Sequence, residues 1–328
     1  MPSAVIITAI AKECLAVCSH LTELKQETHP QGTIYEKGTF SRNGNCWDVA
    51  IVEIGAGNPG AGVETERAIS FFKPDVVLFV GVAGGIKDVK LGDVVASTKV
   101  YAYESGKSEE KFKPRPEIGL SGYNLEQLAR AIAREWLRKV ESSSSESNNN
   151  LPKAFVAPIA AGEQVVASTE SEVFKFLRRN YSDAIAVEME GFGFLKAARA
   201  NQQVTAIVIR GISDLIDGKA AVDKAGYQEI AAGNASAFAF EMLGRFRSSN
   251  SPSHTGETRE YLLDLLNGLL PSQFDTVVFK YHDASFHLAN GSQNQKAINL
   301  IQYAIQKEGP NLAKLLAVIY EVAPHLRK

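Results

Sequence analysis

The stretch from Ile185 to Asp217 constrains this chain most. Two apolar runs, Ala184–Met189 and Val204–Ile212, each end in polar residues, and Gly191–Gln202 between them is long enough for a helix. The pattern predicts a β-α-β unit, whose right-handed crossover sets its two strands parallel. Parallel strands deliver their C-terminal ends to one edge of a sheet, where ligands of open α/β sheets bind. Glu190 and Asp214, distant in sequence, are therefore expected to meet at that edge.

With 328 residues the chain exceeds one typical domain, so two are expected. Apolar residues make up 45%, enough for a core, and the net charge of -2 offers no global basic field for nucleic acid. No apolar run approaches the roughly 20 residues of a membrane span. The opening Met-Pro-Ser-Ala-Val-Ile-Ile lacks the basic segment of a signal peptide and leads directly into a strand. Three sparse cysteines, Cys14, Cys18 and Cys46, suit reduced thiols in a cytoplasmic protein. Cys14 and Cys18 share one face of an expected helix with only His20 nearby, so core packing is favoured over a metal site.

In order, Ala4–Ala9 reads as a buried strand and Lys12–Leu24 as a helix, with Glu13 at their junction. Ile34–Ser41 and Cys46–Ile54 flank Asn43-Gly44, a hairpin signal. Gly55-Ala56-Gly57-Asn58-Pro59-Gly60 matches a dinucleotide-binding fingerprint by letter, with Asp75 at about the right distance for a ribose-binding acid. A tight turn needing left-handed backbone is preferred, because the preceding strand belongs to the hairpin rather than opening a β-α-β unit. Val76–Val82 is an unbroken apolar run ending in small residues, Gly81-Val82-Ala83-Gly84-Gly85, which let a ligand approach the backbone closely.

Strand Val94–Tyr103 precedes a polar loop, Glu104–Gly122, holding Lys107, Lys111, Lys113 and Arg115. A solvated loop is its default reading, partly offset by Glu109, Glu110 and Glu117; the alternative is a clamp for phosphate groups. Tyr123–Val140 reads as an amphipathic helix, Ser142–Asn150 as a low-complexity loop, and Phe155–Ala161 as a strand. A helix over Ser168–Asn180, capped by Ser168, precedes the β-α-β unit, and Ala225–Phe246 closes the domain. Residues 248–256 read as a linker, and residues 257–328 as a small all-α domain without a catalytic constellation, its His282 and His287 lacking metal-ligand context.

Three strand-end carboxylates, Glu13, Glu190 and Asp214, suit glycosidic bond cleavage. One carboxylate activates water, an acid protonates the leaving group, and another polar group holds the sugar as it flattens toward an oxocarbenium ion. Four motifs in order then carry a resemblance: Ala9-Ile10-x-x-Glu13, Gly81-x-Ala83-Gly84-Gly85, Ala186-Val187-Glu188-Met189-Glu190 and Arg210-Gly211-Ile212-Ser213-Asp214. Through them residues 1–247 resemble the nucleoside phosphorylase superfamily, closest to the methylthioadenosine/S-adenosylhomocysteine nucleosidases.

The resemblance implies an α/β three-layer sandwich around a mixed, barrel-like central sheet, and a homodimer or larger homo-oligomer. It implies that Asp214 protonates purine N7, oriented by Ser213, and that Glu13 holds the attacking water with Arg210 nearby. Glu190 would bind the ribose hydroxyls and Met189 would pack on the sugar, while Val165 and Val166 would flank the base. Glu188 is either a further ribose ligand or a buried structural partner. Val82, Ala83 and Gly84 would form the loop at the water site, but the family's serine there is replaced by Val82. A familiar aromatic contact to the base is likewise replaced near Val165. Ala11-Lys12-Glu13 stands where bacterial phosphorylases carry a phosphate motif, which favours hydrolysis over phosphorolysis. No cofactor or metal is called for.

The C-terminal segment, on Phe274-Asp275-Thr276-Val277-Val278-Phe279 and Asn299-Leu300-Ile301-Gln302-Tyr303-Ala304, resembles the effector-associated domains of bacterial conflict systems, which are death-like helical adaptors. That resemblance implies a protein partner bearing a like domain, and an antiphage effector attacking adenine nucleotides, ATP among them. Two rivals stand beside it: housekeeping cleavage of methylthioadenosine and S-adenosylhomocysteine, and a nucleoside-binding sensor without turnover.

Overall fold

Apolar runs with no polar alternation make strands buried on both faces, as in sheets covered by helices on each side. In the computed structural model, β1 (Ser3–Thr8) and β5 (Val76–Gly85) are of this kind, and so is most of β12 (Thr205–Asp214). Ile6, Leu78 and Ile209 pack into one core layer, while Ile7, Phe79 and Val208 pack into the other. Helices α1 (Ala11–Cys18), α3 (Tyr123–Ser142) and α6 (Tyr227–Arg245) cover the first layer. Helices α2 (Asn58–Phe72) and α5 (Gly191–Ala200) cover the second. The three-layer α/β architecture and its mixed sheet are as expected. The structure describes residues 1–42, 45–110, 112–142, 151–201, 204–216, 226–247, 256–281, 291–308 and 312–326.

The remaining strands are β2 (Thr22–Thr28), β3 (Ile34–Arg42), β4 (Asn45–Glu53), β6 (Val94–Ala102), β7 (Gly106–Lys107), β8 (Lys113–Pro114), β9 (Glu117–Leu120), β10 (Ala154–Ala161) and β11 (Ala186–Glu188). The main sheet runs β11-β10-β6-β12-β5-β1-β4-β3-β2, with β9 beside β6. An additional pairing of β11 with β5 closes five of its strands into a ring.

The β-α-β unit forms, but its strands are not parallel. β12 runs parallel to β5, whereas β11 pairs with β5 antiparallel through Ala186–Gly85 and Val187–Gly84. The three-residue β11 enters the sheet beside β10, in the direction of β6 and opposite to β12. Ring closure then brings it round to β5, so the crossover rule for parallel neighbours does not govern it.

Three other expectations need correction. Lys12–Leu24 is not one helix: α1 ends at Cys18 and the chain turns into β2, whose residues are nearly all exposed and whose Thr-Glu-Leu-Lys-Gln-Glu-Thr sequence lacks strand alternation. This edge strand pairs with β3 and carries a register shift between Thr22 and Lys25, with Glu23 in left-handed backbone at φ 56°. The cap of α4 (Glu172–Asn180) is Ser171, whose hydroxyl accepts the Phe174 N–H at 3.1 Å, not Ser168. The β3–β4 hairpin forms in register with Arg42 opposite Asn45. Yet β4 also pairs parallel with β1, which pairs parallel with β5, so β4-α2-β5 is a β-α-β crossover after all.

The chain divides into two compact units, Met1–Ser248 and Ser249–Lys328. The second contains helices α7 (Gly256–Gly268), α8 (Pro271–Tyr281), α9 (Gln293–Glu308) and α10 (Ala313–Val322) around Leu262, Phe274, Leu300 and Leu315. His282, His287, Lys111 and Asp217 lie outside the described residues, as do most of the low-complexity loop and the linker. Among the described residues, no helix is long and apolar enough to cross a membrane.

Candidate active site

β5 changes partners along its length. Val76–Phe79 pair with β1, which ends at Thr8, and Gly84–Gly85 pair with β11. Between them, Val80–Ala83 present a strand edge that neither neighbour covers. A cavity of about 190 Å³ opens there, lined by Glu13, Val82, Val165, Glu190, Ser213 and Asp214 among others. Gly84 lies between the two strands of the β-α-β unit: Val187 pairs with it from β11 and Asp214 from β12. Glu190 and Asp214 therefore meet as expected, by a different topology.

Glu13 belongs to the first turn of α1 and is 3% exposed. One carboxylate oxygen accepts the N–H groups of Ala9 and Ile10 at 2.7 and 3.2 Å. The other accepts the Val82 N–H at 2.8 Å. Val82 thus contributes its backbone where its side chain has no polar group. Burial raises the Glu13 pKa against the opposing pull of Arg210 and these three backbone donors.

Arg210 is fully buried on β12, its guanidinium carbon 4.1 Å from the centroid of the Phe79 ring. Its Nη2 donates to Glu188 and, at 3.3 Å, to Glu190. Among the described residues its Nε and Nη1 have no hydrogen-bond partner. Burial opposes the charge, but Glu188, Glu190 and Glu13 outweigh it and raise the pKa. Glu188 also accepts the Glu190 and Gly191 N–H groups, at 3.1 and 2.8 Å. It thereby satisfies donors at the start of α5, the structural side of its two readings.

The Glu190 carboxylate accepts the Gly57 N–H at 3.1 Å. Burial, reinforced by the charge of Glu188, raises its pKa to about 7. Across the cavity the Ser213 hydroxyl lies 3.1 Å from an Asp214 carboxylate oxygen and 3.5 Å from the Ala83 carbonyl. The other Asp214 oxygen accepts the Ile216 N–H at 3.1 Å. Met189, Glu188, Ala83, Gly84 and Val166 also line the cavity; Val165 is 60% exposed and Val166 buried.

Of the basic loop, Lys107, Lys113 and Arg115 are not part of this lining. Lys107 and Lys113, in the β7–β8 ribbon, both pair with Glu109, and Arg115, just past the end of β8, is exposed. A larger cavity of about 590 Å³, lined by Asn58, Val63, Glu104, Glu163, Phe192 and Lys196 among others, holds none of the motif carboxylates. Chemistry is therefore assigned to the smaller cavity, where Glu13 and Glu190, both with raised pKa values, converge.

Sequence reasoning missed Gly57 as a donor to Glu190, having read its loop as a turn. Gly55 and Gly57 do adopt positive φ, at 78° and 114°, but the turn also aims an N–H into the site. Gln164 and Gln228 line the cavity with no signal in the sequence to mark them. Among the described residues, no group of three or more His, Cys, Asp or Glu side chains can hold a metal ion.

Residues 3–244 match the family model of the phosphorylase superfamily. The ATP nucleosidase Cap17 of Escherichia coli (strain KTE188) is 30% identical over 241 residues, 66% of this chain and 46% of that protein. This chain thus spans about half the length of that curated relative. A 5'-methylthioadenosine/S-adenosylhomocysteine nucleosidase of Haemophilus influenzae (strain PittEE) is 27% identical over 246 residues, 73% of this chain and 98% of that one. The crystal structure of such a nucleosidase from Colwellia psychrerythraea 34H, in complex with adenine, aligns with a TM-score of 0.60 at 28% identity. That alignment covers 74% of this chain and 95% of the other. The family match spans every strand of the larger unit and each carboxylate that meets in its cavity, and this chain belongs to the phosphorylase superfamily.

Proposed function

We propose that the protein hydrolyses the N-glycosidic bond of an adenine nucleoside or nucleotide and releases adenine. The observation that carries this reading is the convergence of Glu13, Glu190 and Asp214 on one cavity, beside a buried arginine whose Nη1 has no partner among the described residues. Water held by Glu13, near that Nη1, loses a proton to the carboxylate as its oxygen attacks C1′. Glu190 accepts from the ribose hydroxyls, favouring the flattened, positively charged sugar. Asp214, oriented by the Ser213 hydroxyl, delivers a proton to N7, and the glycosidic electron pair leaves with adenine. The name of the Escherichia coli relative supports ATP as the substrate, and the resemblance of residues 257–328 to effector-associated domains supports the role of an antiphage effector. In that reading the homo-oligomeric enzyme is recruited through its helical unit, residues 257–328, by a protein bearing a like domain.

One observation favours a substrate without phosphates. Lys107 and Lys113 are held by Glu109, and the cavity lining includes neither of them nor Arg115. The Haemophilus influenzae relative, matched over nearly its whole length, is named for methylthioadenosine and S-adenosylhomocysteine.

The test is adenine release, followed by chromatography, from ATP, AMP, adenosine, methylthioadenosine and S-adenosylhomocysteine in parallel without added phosphate. Fastest release from ATP supports the effector reading, and fastest release from a thio-nucleoside supports the second. No release, alone or with the recruiting partner, overturns the proposal of catalysis and leaves a binding-only sensor.

A further inference from the structure

Asn58 stands where three separate parts of the fold touch. Its side-chain Nδ2 donates to the Gly162 carbonyl at 3.2 Å and to a Glu163 carboxylate oxygen at 3.0 Å. Its own N–H donates to that same oxygen at 3.3 Å. Its Oδ1 accepts the Gly193 N–H at 2.9 Å, in the first turn of α5. The approach is tight: a Cβ at Gly193 would lie 2.0 Å from the Asn58 carbonyl oxygen, and one at Gly57 would lie 3.3 Å from Glu163.

Each part that Asn58 joins carries something of the site. The residue before it, Gly57, donates to Glu190. Glu163 leads into Gln164, Val165 and Val166 of the cavity wall, and Glu104 holds this segment by accepting the Glu163 N–H at 3.0 Å and the Gln164 side-chain amide at 3.2 Å. Gly193 lies three residues beyond Glu190, whose carbonyl accepts the Phe194 N–H. The N-cap of α2, Gly57, has no side chain to cap the helix, and the Glu163 carboxylate takes that place at the positive helix end.

We propose that Asn58 is a positioning residue: by clasping Glu163 and Gly193 it fixes the Gly57 N–H against Glu190, and so fixes the carboxylate that reads the ribose. The inference rests on the assignment of Glu190 to the ribose hydroxyls, and the test separates the two. Asn58 is not among the residues that line the smaller cavity, so its effect on Glu190 is transmitted through Gly57.

The probe is a carbon-linked isostere of adenosine, whose bond to the base cannot hydrolyse, together with its 2′-deoxy form. Calorimetric affinities for both give the preference for the 2′-hydroxyl without depending on turnover. In the wild type the ribo form binds about tenfold more tightly, the size expected for one hydrogen bond to a charged group. Asn58→Ala and Glu163→Ala bring that preference close to one, while Glu163→Gln, which keeps an acceptor for Asn58, retains it. Thermal unfolding confirms that the variants are folded. If Glu190→Gln abolishes the preference and Asn58→Ala leaves it intact, or weakens both ligands equally, the clasp is overturned on its own. If Glu190→Gln also leaves the preference unchanged, or the wild type shows none, the ribose assignment falls and the clasp falls with it.

Discussion

Gly81 and Arg210 lie opposite each other on β5 and β12, so close that a Cβ at Gly81 would sit 2.2 Å from the arginine Nη1. The same Cβ would lie 2.6 Å from a Glu13 carboxylate oxygen. The missing side chain is the space in which the acid and the guanidinium approach each other. Gly81→Ala is therefore expected to cost about 1–3 kcal/mol of stability, typical of an added methyl in a packed interior. It should also abolish adenine release by displacing Glu13. Thermal unfolding and the release assay check both effects, and a variant with wild-type activity would contradict this account of the water site.

Asp214→Asn keeps the shape of the side chain but removes the proton donor. Adenine release should fall about 10²–10⁴-fold, the usual worth of general acid catalysis. Binding of the carbon-linked adenosine isostere should change little. Loss of binding together with release would assign Asp214 to ligand binding instead.

Glu190 gives a pH dependence whose sign follows from its raised pKa. Its folded-state value of about 7 exceeds the ordinary 4.5 because burial and Glu188 disfavour the charge. The native state thus holds this proton longer than the unfolded chain does. Its ionisation has no effect below about pH 4.5, weakens the fold as pH rises toward about 7, and is fully felt above that. Across this window the wild type should lose stability relative to Glu190→Gln, by on the order of 3 kcal/mol. Thermal unfolding of both proteins at about pH 5, 6 and 8 measures the gap. A gap that does not grow would place the raised affinity for protons elsewhere.

Replacing Lys107 and Lys113 together with alanine should leave the ratio of ATP to adenosine turnover unchanged, because Glu109 already holds both ammonium groups. A fall in the ratio would show instead that a phosphorylated substrate draws them away from Glu109.

The strands were legible where burial on both faces leaves continuous apolar runs, as in Val76–Val82 and Val204–Ile212. The convergence of Glu190 and Asp214 was legible because each ends such a run. The direction of β11 was not, since three residues carry no mark of which neighbour they will join. β2 was missed because an exposed edge strand buries almost nothing and so shows no alternation. The Gly57 donor escaped notice for another reason: a backbone N–H is common to all residues except proline, and only its orientation gives it a role.

That same β2 has a bearing on how the protein behaves when concentrated. At one end the main sheet closes through β11 and β5, and at the other its path stops at β2. An unpaired strand flank is a template on which another chain can build. Here the template is spoiled twice, by the charged residues Glu23, Lys25 and Glu27 and by the shifted register at Glu23–Leu24. Charge and an irregular register at this edge disfavour the addition of a neighbour's strand, and the polar sequence that hid β2 from view is what disfavours it.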